Sequence, residues 1–134
     1  MREKLETPFA IYTLIVAVPY FLGETYHYFA FVGFGNSVLN YAVDLIAIFL
    51  MLLGGVASLR SKPVSASGWL AAAWGFVACL NYRAFAWRYE EVAAGAVIET
   101  EPSSVLTILS VTLVTSFIAL FVALFLARPR PQMD

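Results

Sequence analysis

The chain has 134 residues, 61% of them hydrophobic and 13% charged, with a formal net charge of -1. That apolar share exceeds the roughly 45 to 50% of a soluble domain, so a water-soluble core cannot enclose it. The near-neutral charge, without a lysine or arginine run, excludes a nucleic-acid surface, and the lone cysteine, Cys79, excludes an internal disulfide or dithiol redox pair.

The apolar residues fall in long runs rather than stripes or alternations, the pattern of helices that are apolar all round. A helix crosses a bilayer with about 20 mostly apolar residues. The first such stretch is 8–29. Arg2 and Lys4 ahead of it resemble the start of a secretory signal, but the stretch is too long and runs through Glu24 and His27 with no small-residue cleavage site. It is read as an uncleaved span. Pro19 leaves the Ile15 carbonyl without its helical donor and is expected to kink this helix just below Glu24.

Gly33, Gly35 and Asn36 break the chain before the second span, 37–59. A short turn with Lys62 and Pro63 then leads to the third, 67–87, which makes the second and third helices antiparallel neighbours. The third helix can continue past the membrane to about Ala94, before Gly95 and Pro102 interrupt the chain and the fourth span, 103–127, begins. Small residues four apart, such as Gly54 and Ser58, Gly68 and Ala72, or Ala71 and Gly75, let helix backbones approach closely and are expected to pack within the chain. Thr107, Ser110, Thr112, Thr115 and Ser116 on the fourth helix can return hydrogen bonds to their own backbone.

Arginine and lysine gather in three flanks: Arg2 with Lys4, Arg60 with Lys62, and Arg128 with Arg130. The positive-inside rule puts all three on the cytoplasmic face. The expected fold is therefore an all-α integral membrane four-helix bundle, a single domain over residues 1–134, with N and C termini cytoplasmic, in a bacterial inner (plasma) membrane. The acidic stretch that includes Glu90, Glu91, Glu99 and Glu101 would face outward.

An ionisable group at mid-bilayer costs on the order of 3 kcal/mol on insertion scales, so each one inside a span calls for a partner or a purpose. Here they gather in the outer third: Glu24 and His27 on the first helix, Asp44 on the second, Arg83 and Arg88 on the third, with Asn40, Tyr41, Asn81 and Tyr82 at similar depth. The cytoplasmic two-thirds of the spans carries no ionisable side chain. Glu24 and His27 are three apart and share a helix face with Tyr20 and Tyr28. The same Glu-x-x-His spacing is half of a di-iron motif, but with one histidine in the chain no metal site is expected. Asp44 is the carboxylate most fully flanked by apolar sequence, and Arg83 is its expected partner. Asn81 and Arg83 are two apart, so they line adjacent walls rather than one stripe. Trp87, Arg88 and Tyr89 read as an interfacial belt, Trp69 and Trp74 as belt and packing.

The functional expectation is a protein that binds a small or lipid-like ligand, or a partner subunit, through an outer polar pocket of Glu24, His27, Asp44, Asn81 and Arg83 walled by Tyr20, Tyr28 and Tyr82. The alternatives are an intramembrane enzyme using Glu24, His27 or Asp44 as acid and base on a hydrophobic substrate, and an oligomeric small-solute transporter. Polar groups confined to one leaflet weaken the transporter reading, since a relay needs them along the whole crossing. Expected partners are the lipid bilayer and either further copies of the chain or a larger membrane complex. No cofactor class is specified.

Overall fold

In the computed structural model, which describes residues 2–32, 38–60, 66–95 and 104–128, the chain is an all-helical bundle of four helices. They are α1 (Arg2–His27), α2 (Val38–Arg60), α3 (Ala66–Ala93) and α4 (Val105–Ala127). The expected connections at 33–37, 61–65 and 96–103 lie outside the described residues, as does Arg130, and so does the side chain of Asn40.

Chain-order neighbours pack on one another, α1 on α2, α2 on α3 and α3 on α4. The register is antiparallel throughout. Tyr41 meets Thr25 while Gly55 meets Leu14, and Asn81 meets Thr112 while Gly75 meets Leu120. The start of α1 and the end of α4 therefore share one end of the bundle, here the terminal end. The far end holds the last turns of α1 and α3 and the first turns of α2 and α4.

Three segments are long and apolar enough to cross a membrane: Lys4–Ala30, Tyr41–Arg60 and Val105–Ala127. The third helix departs from the expectation of four equally apolar spans. It is 28 residues long but carries Arg83, Arg88, Glu90 and Glu91. It packs against both α2 and α4 and buries Leu70, Ala73, Trp74, Val77 and Ala78. Its C-terminus is closed by Gly95 at φ +73, whose N–H donates to the Val92 carbonyl at 3.0 Å. A residue with a Cβ rarely adopts that left-handed conformation.

Helix α1 is continuous through Pro8 and Pro19 and ends in a π-helical turn, Tyr28–Val32. Its early start also changes one expectation. Glu6, which precedes the expected first span of 8–29, is 6% exposed and buried at the terminal end, where Ser58 and Ser67 are buried as well.

The core is tied by close backbone approach and by one buried hydrogen-bond chain. A Cβ on Gly54 would lie 3.1 Å from the backbone of Trp69 and Leu70, and one on Gly55 would lie 2.6 Å from Leu14. The adjacent glycines thus seat α2 against α3 on one side and α1 on the other, within the chain as expected. Gly68 has nothing within 4 Å and sits on an exposed face. Trp74 Nε1 donates to Thr13 Oγ1 at 3.0 Å, and Thr13 Oγ1 donates to the Phe9 carbonyl at 2.9 Å. On α4, Ser110, Thr112, Thr115 and Ser116 each donate to a carbonyl three or four residues back, so their hydroxyls are satisfied inside one helix.

Candidate functional site

The apolar core stops short of the far end. Among the described residues, every buried hydrophobic side chain except Tyr28 lies at or below Ala17 on α1, from Ala47 onward on α2, up to Ala78 on α3 and from Ala119 onward on α4. Beyond that level the sequence places Tyr20, Glu24 and His27 on the last turns of α1, Asp44 two turns into α2, and Arg83 about three turns before the end of α3, beside partly buried apolar side chains such as Leu80 and Phe85.

Asp44 is the hub. Tyr20, His27 and Arg83 all lie within electrostatic range of its carboxyl. Glu24 lies close enough to interact with both Asp44 and Tyr20. Tyr20, Glu24 and Asp44 are half-buried, whereas His27 and Arg83 are exposed on the chain's own surface. Three helices thus contribute to one mixed-charge cluster. The expected Asp44–Arg83 contact pair does not form: among the described residues, Arg83 makes no ion pair within 4.0 Å, and its effect on Asp44 is longer-range.

The other expected members go elsewhere. Asn81 turns toward α4, its Nδ2 reaching the Thr112 carbonyl at 3.5 Å, and Tyr82 is exposed. Tyr28 is 6% exposed and stacks on Tyr41, ring centroids 4.6 Å apart at 16°. Tyr41 also shares a 2.9 Å hydrogen bond with Thr25. This Tyr28–Tyr41–Thr25 clasp joins α1 and α2 beside the charged cluster. Thr25 was not singled out by sequence, and its one signal there is its place on the turn that carries Glu24. Arg88 pairs with Glu91 at 2.8 Å, with its guanidinium 5.8 Å from the Trp87 ring centroid, which fits an interfacial belt.

Among the described residues no three histidine, cysteine, aspartate or glutamate side chains converge closely enough to hold a metal ion. What the cluster can do chemically is present two carboxyls and a phenol from the half-buried level and an imidazole and a guanidinium from the exposed level. No protein-family model matches this sequence, and no curated protein or solved structure matches it.

Proposed function

We propose that this chain is a membrane-embedded binding protein that receives a small or lipid-like polar ligand at the far end of the bundle, through Tyr20, Glu24, His27, Asp44 and Arg83. One observation carries the reading: these ionisable groups from three helices lie within electrostatic range of Asp44 where the apolar core ends. A cluster built only for stability would close its opposite charges into contact pairs, because an incompletely paired charge inside a span is costly. Here Asp44 and Arg83 stay apart. The packed core beneath, with Met51, Leu70 and Trp74 fully buried, supports binding over passage through a single copy.

By the distribution of arginine and lysine, both termini are cytoplasmic and the cluster opens to the external side of a bacterial plasma membrane. A cysteine at exposed Ala30, in a Cys79→Ser background, should therefore react with an impermeant maleimide added to intact cells.

The binding reading is tested by native mass spectrometry of protein released from its own membranes. Wild type should carry a bound adduct that Asp44→Asn and Glu24→Gln lose, while both variants keep their thermal stability. A wild type without adduct, or an adduct equally retained by both variants, would overturn the proposal.

A further inference from the structure

The terminal end is not wholly apolar, and three of its buried residues share one level. A Cβ on Gly54 would lie 3.1 Å from the Leu70 backbone nitrogen on α3, and one on Gly55 would lie 3.3 Å from the Ala10 carbonyl oxygen on α1. One turn nearer the terminal end, the same faces carry Ser58 on α2, Ser67 on α3 and Glu6 on α1, because residues three or four apart share a helix face. Ser58 follows Gly54 by four residues and Gly55 by three, so it lies where α2 meets both neighbours. Burial agrees with that placement: Ser58 is 7% exposed, Ser67 0% and Glu6 6%.

Hydroxyls inside these helices otherwise donate to a carbonyl three or four residues back, as Thr13, Ser110, Thr112, Thr115 and Ser116 do. Ser58 and Ser67 depart from that pattern. Among the described residues their Oγ atoms are shielded from solvent and have no hydrogen-bond partner, and the same holds for the single atom Oε1 of Glu6. Glu6 is engaged by a further interaction, whereas each serine has its hydroxyl as its one polar side-chain group. Leaving two hydroxyls unbonded away from solvent costs more free energy than immobilising one water between them. Water also suits the chemistry. A hydroxyl both donates and accepts, a carboxyl oxygen accepts, and a buried water typically has about three partners. A divalent cation takes about six or more oxygen ligands, more than these three side chains supply.

We propose that Ser58 and Ser67 hold an ordered water in the seam where α1, α2 and α3 converge at the terminal end, with Glu6 as its third neighbour. The site is separate from the cluster around Asp44 and does not depend on the binding reading above. The two glycines bring the helix backbones together, and one turn further the water joins side chains that do not bond one another.

The experiment compares the full chain in micelles with Ser58→Ala, Ser67→Ala and the double variant, by thermal unfolding and by NMR cross-relaxation between long-lived water and the Ser67 β protons. Alanine favours the helix, so all three variants are expected to fold. Each single substitution should lower the unfolding midpoint by about 4 °C, and the double variant should fall no further than the larger single loss, because either change removes the bridge. The wild type should show the water signal at Ser67, and Ser58→Ala should lose it. An unchanged or higher midpoint in either single variant would mean that the hydroxyls are merely unbonded, and additive losses would mean separate bonds; each would overturn the shared water. So would a missing water signal, or one that Ser58→Ala leaves unchanged. A wild-type midpoint that rises in sodium chloride relative to choline chloride, with the rise abolished in the double variant, would overturn the water in favour of a monovalent cation.

Discussion

At the terminal end of the bundle, Trp74, Met51, Leu70 and Leu126 are fully buried, and the buried hydroxyl of Thr13 is bonded to both Trp74 and the Phe9 carbonyl. At the far end, Tyr28 is the one hydrophobic side chain buried among the described residues, and half-buried carboxyls take the place of a core. The contrast separates two tasks. Tight apolar packing fixes the helices relative to one another from below, and the far end can then hold charges in place without closing them into pairs.

Substitutions can break this comparison or sharpen it. The largest effect is expected at Trp74→Ala, which empties the core and orphans its hydrogen bond to Thr13; losing a buried tryptophan destabilises by about 3 to 5 kcal/mol. Equilibrium unfolding in micelles measures it, and a loss below about 1 kcal/mol would mean that the terminal end is not the stabilising half.

The next effect concerns the glycines. Gly54→Ala places a methyl 3.1 Å from the backbone of α3, where no side chain can move aside, and overpacking of this kind destabilises by about 1 to 3 kcal/mol. Gly68→Ala meets nothing within 4 Å and should be stabilising by roughly 0.5 to 1 kcal/mol through helix propensity. The same mutation thus takes opposite signs on two helices, and equal signs would refute the assigned seam. The smallest effect is expected at Arg83→Gln. Because Arg83 makes no contact ion pair among the described residues, its removal should shift stability by less than about 1 kcal/mol while changing ligand preference. A larger loss of stability would restore the structural ion pair that the sequence suggested.

Some of this could be read from the residues alone. The long apolar runs specify helices in lipid, because partitioning of a segment depends mainly on its own composition and length. Depth is equally accessible, since a residue's height in a span follows from its count along the helix. Glu24, His27, Asp44 and Arg83 could therefore be assigned to one end before any fold was known. Azimuth is different. Whether Asn81 turns to α4 and Trp74 toward Thr13 depends on how each helix is rotated about its axis, and that is set by contacts such as Gly54 on Trp69 and Gly55 on Leu14.

The same distinction explains the stacking of Tyr28 on Tyr41 and the burial of Glu6, a residue the sequence placed outside the first span. Sequence by itself determined that this protein is a bundle of apolar helices with Glu24, His27, Asp44 and Arg83 toward one end. Tertiary structure alone decided which of those groups meet, because composition specifies position along a helix axis and only packing between helices specifies direction around it.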